Sequence, residues 1–291
     1  MGVPQNRLME NQTTQSILSQ KLPTNHEDLL REAETIRRLQ PMADRFLYHM
    51  DTIHRKIIAI SNPKTKQICT RRASHSSRYT EPGLEKIRRK IHERLSPYKE
   101  TFGTLLTLTV ARIHSGQNFY HGKDQLDAWE GINSDGRKFT DGLNKWRKRH
   151  GLMKVRGYVK VLEIQKESNY PHLHLYFPGL KWLAPIDIIQ KLWPYGNADI
   201  AHTDSTSPGN YITKYLSKLE GKEFMNIMLY EFNLRMFSNS RGLKYAPEIR
   251  KKKDWGFFAA GTRYQLDTFI NKFLHAGYSM VGQRLTEPRG P

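Results

Sequence analysis

The chain has 291 residues, enough to bury a core, and its 47 lysine and arginine residues against 28 acidic residues give a formal net charge of +19. A single cysteine, Cys69, excludes disulfide frameworks and cysteine-based zinc fingers and indicates a reducing compartment. The positive excess favours a polyanionic partner, although a basic protein with a solvated surface would also carry it. With no signal-peptide core and no apolar run of membrane-spanning length, we expect a soluble cytoplasmic protein without a membrane partner.

The first hundred residues predict a helical region that contains a basic linker. Apolar residues at helical spacing indicate one helix before Pro41 and a second after it, and Pro82 opens a third. Near residues 61–80 the periodicity disappears, and lysines and arginines among serines predict a mobile linker. We therefore predict residues 1–100 as one helical N-terminal region.

From Gly103 onward the pattern changes to strands that alternate with helices. Strands are predicted at residues 103–110, 155–164, 172–177 and 198–203. Helices are predicted at residues 126–132, 139–146, 185–192 and 224–237, with a further amphipathic helix around residues 266–274. The short turn between the second and third strands makes them an antiparallel pair. The fold class is therefore α+β, with a domain of strands and helices at residues 101–245 and a helical extension at residues 246–291.

Two histidines and an upstream carboxylate form a candidate metal site. His172 and His174 are separated by one residue on a predicted strand, so both imidazoles project from the same face. The hairpin brings Glu163 opposite them, with Glu167 and Gln165 as alternatives nearer the turn. Two imidazoles and one carboxylate leave coordination positions open for a substrate. They suit Mg²⁺ or Mn²⁺ without distinguishing between the two ions.

A second candidate group lies on a helix that a Ser-Pro pair opens near residue 207. Tyr211 and Tyr215 are four residues apart and share one face, and Lys214 and Lys218 form a neighbouring row. Ammonium groups favour the phenolate, which is the form of tyrosine that attacks phosphorus. Two aromatic residues packing on a helix would have the same spacing. The tyrosines therefore indicate catalysis only in combination with the histidine strand that precedes them.

Together these motifs resemble those of the HUH endonucleases, and within them the rolling-circle replication initiators (Rep proteins) of the two-tyrosine type. Three segments carry the resemblance in the family's order: residues 105–109 as the first-motif strand, residues 171–177 as the His-hydrophobic-His strand and residues 211–218 as the tyrosine motif. Glu163 stands in the family's acidic position. Residues 193–200 and 235–242 are also similar to stretches of prokaryotic initiators, so the resemblance spans residues 102–242.

The resemblance implies a central antiparallel sheet of about five strands with flanking helices, of the HUH-nuclease (ferredoxin-like) kind, with the histidines on a middle strand. It implies an endonuclease that nicks one DNA strand at an origin, forms a 5′-phosphotyrosine adduct, leaves a 3′-OH and rejoins ends. Tyr215 matches the nucleophile of single-tyrosine members, with Lys214 beside it. Tyr211 is either a second nucleophile or a packing aromatic. The candidates for DNA contacts are Lys218, Arg235 and Arg241.

The resemblance also implies the partners. They are single-stranded or origin DNA of a plasmid or virus and, because no phosphate-binding helicase loop follows the nuclease segment, the helicase and polymerase of a prokaryotic host. An HUH transposase or relaxase would share the chemistry, and a non-catalytic nucleic-acid-binding protein would use the basic surface without cutting. The Glu-His-His set argues against the last, because binding alone needs no metal. For residues 1–100, origin recognition, dimerisation and host-factor contact stay open.

Overall fold

The structure is a computed structural model that describes residues 26–73, 77–98, 101–112, 121–165, 168–203, 212, 223–243, 256–261 and 263–281. The chain divides into two compact units, each made of two separate segments. The first unit comprises Met1–Ala43 and Arg94–Tyr245, and the second comprises Asp44–Glu93 and Ala246–Pro291. The domain boundaries predicted from the sequence, near residues 100 and 245, stay a prediction.

Six helices lie in the described part of the chain. They are α1 (His26–Arg55), α2 (Glu81–Leu95), α3 (Gln125–Arg149), α4 (Ile186–Leu192), α5 (Glu223–Glu231) and α6 (Arg263–His275). None of the helices described is long and apolar enough to cross a membrane.

The described strands form two sheets. They are β1 (Ile57–Asn62), β2 (Gln67–Arg72), β3 (Gly103–Thr109), β4 (Val159–Ile164), β5 (Pro171–Pro178), β6 (Ala198–Thr203), β7 (Phe237–Asn239), β8 (Gly256–Gly261) and β9 (Ser279–Met280). The first unit holds a five-stranded sheet in the order β6-β3-β5-β4-β7, and every neighbouring pair in it is antiparallel. The predicted α+β class with a five-stranded antiparallel sheet is thus confirmed, and β5, which carries both histidines, is its middle strand.

Helix α3 covers the apolar face of this sheet. The side chain of Asp124 caps the helix by accepting a 3.0 Å hydrogen bond from the Leu126 N–H. The fully buried residues along α3 include Trp129, Ile132, Phe139 and Leu143. Gly136 lies so close to β5 that a Cβ atom there would be 2.7 Å from Cδ2 of Leu173. Since Leu173 stands between the two histidines on a strand, α3 packs on the face opposite to them.

Two helix predictions are wrong in their bounds. One continuous helix, α3, replaces the two stretches predicted at residues 126–132 and 139–146, and α1 runs through Pro41. A proline inside a helix costs about 3 kcal/mol. Leu39, Met42 and Phe46 are buried along α1, and their burial offsets that cost.

The apolar helix predicted to reach residue 237 ends earlier. Helix α5 stops at Glu231, and Asn233 follows with a φ of 47°, a left-handed conformation that terminates a helix. The chain then enters β7, a three-residue edge strand paired with β4. Such a short strand has too few residues to show a period of two, which is why the sequence did not predict it.

The second unit contains a four-stranded sheet in the order β8-β1-β2-β9. Strands β1 and β2 form an antiparallel hairpin, so residues 61–72 do not form the predicted linker, and β8 and β9 add strands to the region predicted as a helical extension. Ile57 and Ala59 of β1 form a buried core with Leu266 and Ile270 of α6. The hairpin escaped prediction because β2 alternates only two buried side chains, Ile68 and Thr70, among basic and polar ones.

Candidate metal centre

Register in the five-stranded sheet brings the candidate ligands to one face. His172 pairs with Glu163 of β4 on one side and with Thr109 of β3 on the other. His174 lies two residues further along β5 and pairs with Thr107. Residues directly opposite one another in antiparallel strands share a face, so the two histidines and the carboxylate project from the side of the sheet that α3 leaves uncovered.

His174 is held from both sides by hydrogen bonds. Its Nε2 atom lies 3.0 Å from Oε2 of Glu163, and its Nδ1 atom lies 3.1 Å from Oγ1 of Thr107. The ring of His172 stands edge-on to that of His174, with centroids 6.0 Å apart and an interplanar angle of 85°. Because both nitrogens of His174 have fixed partners, its imidazole cannot turn without losing a hydrogen bond.

The three side chains fit a divalent metal ion. One ligand atom from each of Glu163, His172 and His174 lies within 4.8 Å of the other two. Two ligands about 2.1 Å from a common ion and at right angles to each other are about 3 Å apart, which matches the 3.0 Å between His174 and Glu163. Imidazole nitrogen and carboxylate oxygen form the donor set of catalytic metals that keep open positions. The cluster could therefore hold a metal ion, and its donors leave the identity of that ion open.

Burial makes the pairing of these groups energetically important. Glu163 and His174 are 5% and 4% exposed, whereas His172 is partly exposed. A buried carboxylate is costly unless a donor or a cation compensates it. The His174 ring supplies that compensation in the structure, and a bound cation would supply it more strongly.

The turn between β4 and β5 is fastened to the beginning of α3. The indole Nε1 of Trp129 donates to the Asn169 carbonyl oxygen at 2.9 Å, and the Gln125 amide donates to that of Ser168 at 2.8 Å. The Tyr170 hydroxyl donates to the Lys123 carbonyl oxygen at 2.8 Å, and its burial raises the pKa of Tyr170 far above the usual range. Tyr170 therefore stays a neutral donor, and these three bonds fasten residues 168–170, which lead into β5, to the beginning of α3.

The alternatives to Glu163 are placed differently. Gln165 lies beyond the end of β4, where its side-chain oxygen accepts a hydrogen bond from the Ser168 hydroxyl within the turn. Glu167 lies outside the described residues. Among the described carboxylates, Glu163 is the one that groups with the two histidines.

Most of the predicted tyrosine motif cannot be compared with the structure. Tyr211, Lys214, Tyr215 and Lys218 lie outside the described residues, and only Ile212 of that segment is described, as a buried residue. The predicted DNA-contacting residues Arg235 and Arg241 are both exposed, on either side of β7, and neither belongs to the metal cluster.

The sequence did not single out Thr107 as a partner of His174. The alternation of threonine and leucine in β3 predicted the strand but not which strand it would pair with. A signal was nonetheless present, because Thr107 and Thr109 share one face of a strand in which Leu106 and Leu108 take the other. Polar residues on one face of a buried strand indicate that this face carries polar neighbours.

A second buried polar group lies near the centre without belonging to it. Asp135 of α3 is 4% exposed and accepts a hydrogen bond from the Lys123 ammonium, which also lies 4.3 Å from the ring centroid of Tyr195. Burial and the neighbouring Asp135 carboxyl raise the pKa of Tyr195. This group joins the segment before α3 to the turn before β6, and so fixes the end of β3 nearest to His172.

Comparison with known proteins adds one finding. A family model described as replication-associated protein ORF2/G2P matches residues 103–220. The match contains β3, β4, β5 and β6 and therefore all three side chains of the metal cluster, and it supports a role in DNA replication. No curated relative and no solved structure matches the chain.

Proposed function

We propose that the chain is a replication initiator endonuclease that nicks one DNA strand at an origin and later rejoins ends, in the rolling-circle replication of a plasmid or virus. The observation that carries the proposal is the Glu163-His172-His174 cluster on the middle strand of the sheet, inside the segment matched by the replication-associated family model. A protein that only bound DNA would have no need for a buried donor set of this kind.

His172, His174 and Glu163 would hold Mg²⁺ or Mn²⁺. When bound, the ion supplies polarisation of the scissile phosphate and stabilises the charge that develops on its oxygens. Glu163 and His174 would fix where the ion is held relative to the sheet, since both are buried and bonded to each other. Thr107 is a positioning residue that acts through His174.

Tyr215 is the proposed nucleophile, and Tyr211 is the candidate for a second transfer. The phenolic oxygen of Tyr215 gives up its proton, helped by the positive charge of Lys214, and forms a new bond to phosphorus. The bond from phosphorus to the O3′ oxygen breaks, and that oxygen takes up a proton to become the 3′-OH. The resulting 5′-phosphotyrosine ester keeps the energy of the cleaved bond, so reversal of the same step rejoins ends without a nucleotide cofactor.

The test is covalent capture of single-stranded DNA. The purified full chain is incubated with Mn²⁺ and a randomised pool of single-stranded oligonucleotides, labelled at the 3′ end in one sample and at the 5′ end in another. We expect an adduct that survives denaturation and carries the 3′ label, because the tyrosine ester holds the 5′ phosphate of the downstream piece. The 5′-labelled piece should be released with a free 3′-OH.

Matched variants assign the roles. Tyr215→Phe should lower adduct formation at least about a hundredfold, since it removes the attacking oxygen, and Glu163→Gln should lower it by weakening metal binding. Tyr48→Phe, at an aromatic residue that is 76% exposed and outside the matched segment, is the control and should behave as the parent protein. Loss of the adduct only in the Tyr211→Phe, Tyr215→Phe double variant would make the two tyrosines interchangeable. Absence of an adduct from the whole pool would contradict the proposal and favour a non-catalytic DNA-binding protein.

A further inference from the structure

An exposed aromatic group lies at the carboxyl end of α3, at the end of the sheet away from His172. Trp146 stacks on His150 with ring centroids 4.1 Å apart and an interplanar angle of 25°. Trp182, from the loop after β5, adds a third ring whose centroid is 5.9 Å from that of Trp146. Trp182 is 47% exposed, which is unusual for the largest apolar side chain.

Arg147 fixes the loop that carries Trp182 to the helix. The side chain is 4% exposed, and its guanidinium donates to the main-chain carbonyl oxygens of Met153 at 2.8 Å, Trp182 at 3.0 Å and Leu183 at 2.5 Å. Because all three acceptors are neutral, these bonds satisfy the donors without neutralising the positive charge. The position of Trp182 is thus set by its main chain, which leaves the indole ring available at the surface.

Basic side chains surround these rings. Residues 145–156 contain six lysines and arginines and no acidic residue. The exposed ones are Lys145, Lys148, Arg149, Lys154 and Arg156. On the other side of Trp182, the Lys181 ammonium lies 4.4 Å from the ring centroid of Phe102, which is itself 39% exposed. Cations therefore lie beside aromatic rings both at the end of α3 and in the loop after β5.

Helix electrostatics accounts for only part of this arrangement. Cations in the last turn of a helix interact favourably with its dipole, which explains Lys148 and Arg149. It does not explain Lys181, which lies on a different segment, or the exposure of Trp182. Partly exposed aromatic rings among cations are the combination that binds unpaired bases by stacking and the phosphate backbone by charge.

We propose that this surface, formed by Trp146, Lys148, Arg149, His150, Lys181 and Trp182, binds single-stranded DNA. The proposal rests on the proposed function for the choice of DNA as its ligand, but it needs neither the metal nor the tyrosines. The surface follows the Pro178 end of β5, and the seven residues from His172 to Pro178 span about 20 Å at the rise of a β-strand. A strand bound there would be anchored away from the bond that is cut.

Binding is measured by fluorescence anisotropy, with the full chain, a labelled oligothymidylate of about twelve nucleotides, and EDTA to exclude metal-dependent chemistry. Trp182→Leu should bind about tenfold more weakly, because leucine keeps apolar area but cannot stack on a base. Trp182→Tyr, which keeps an aromatic ring, should stay within about threefold of the parent protein.

The matched control is Phe269→Leu on α6. Phe269 is 49% exposed, as Trp182 is 47% exposed, and it has the Lys272 ammonium 5.9 Å from its ring centroid, much as Phe102 has that of Lys181. The affinity of the Phe269→Leu variant for the oligothymidylate should equal that of the parent protein. A second variant, Lys148→Gln with Arg149→Gln, should reduce the slope of log affinity against log salt by about 1.4, the value for two lost phosphate contacts.

Two results would overturn the proposal. One is unchanged binding by Trp182→Leu with a parental melting temperature, and the other is an equal loss in Phe269→Leu. If Trp182→Leu does not fold, the Lys148→Gln, Arg149→Gln variant tests the proposal instead. A slope of log affinity against log salt equal to that of the parent protein would then overturn it. Anisotropy in EDTA reports on this surface alone, whereas the covalent adduct reports on the nicking chemistry, so failure of one is distinguishable from failure of the other.

Discussion

The hydroxyl of Thr107 can hydrogen-bond to His174 both with and without a metal ion in the centre. In the tautomer that carries its proton on Nε2, the Nε2–H of His174 would donate to Glu163 and Nδ1 would accept from the Thr107 hydroxyl. If Nε2 were to hold a metal ion, the tautomer with its proton on Nδ1 would instead donate to the same hydroxyl oxygen. A hydroxyl can donate and accept, so the bond survives the change of tautomer.

This double role gives a test at the level of a single side chain. Thr107→Val should weaken Mn²⁺ binding about tenfold, because loss of an outer partner of a ligating histidine typically has that effect. Thr107→Ser should restore it. Isothermal titration calorimetry with Mn²⁺ measures both.

Thr104→Val is the matched control. Thr104 lies on the same strand and is fully buried, but its hydroxyl donates to the Leu180 carbonyl oxygen at 2.5 Å, away from His174. We expect both valine variants to lose stability by about 1 kcal/mol, and only Thr107→Val to lose metal affinity. Equal Mn²⁺ affinities in the two variants would show that Thr107 has no positioning role.

At the scale of elements, the centre depends on how closely the turn before β6 approaches the end of β3. The indole of Trp193 donates to the Thr109 carbonyl oxygen at 2.6 Å, and a Cβ atom at Gly196 would overlap that same oxygen. Thr109 is directly opposite His172. The end of β3 next to the histidines therefore requires a glycine at position 196.

Gly196→Ala should destabilise the protein by about 1–3 kcal/mol, since the added methyl group meets main-chain atoms that cannot turn away. Gly142→Ala is the comparison, because a Cβ atom there would lie 2.8 Å from Cδ2 of Leu192, the flexible end of a side chain. Gly142→Ala should lower the free energy of unfolding by less than Gly196→Ala does, and the better helix propensity of alanine offsets part of that loss. Urea denaturation measures both variants, and an equal loss in the two would refute the assignment.

At the scale of the whole molecule, the net charge of +19 should dominate the strength of DNA binding. Each phosphate contact to a single strand contributes about −0.7 to the slope of log affinity against log salt. Raising the salt from about 50 mM to about 200 mM should therefore weaken binding of single-stranded DNA by about tenfold or more. Anisotropy titrations over that range measure the slope. If the affinity constants at the lowest and highest salt concentrations agree within twofold, the net charge serves a purpose other than DNA binding.

The sequence by itself determined the class of the fold, the pair of histidines and Glu163 as the first of three candidates for the third ligand. Alternation with a period of two located β3 and β5, and the short turn after β4 made its pairing with β5 antiparallel. Once that hairpin forms, Glu163 must stand opposite His172, because register in an antiparallel pair is fixed by the length of the turn. These features depend on spacings within a single strand or hairpin, and such spacings can be read directly from a sequence.

Contacts between distant segments were decided only by the tertiary structure. Thr107 meets His174 across 67 residues, and Arg147 reaches the Trp182 loop across 35 residues. Strand β1 pairs with β8, and β2, in the predicted basic linker, pairs with β9, so that strands from distant parts of the chain complete one sheet. Propensity and periodicity describe what a segment can form alone, whereas the burial that long-range pairing provides decides what it forms in the folded protein. For this chain, the candidate metal ligands follow from local spacing along two strands, whereas the Thr107 hydroxyl beside His174 and the aromatic group at the end of α3 come from contacts between distant segments.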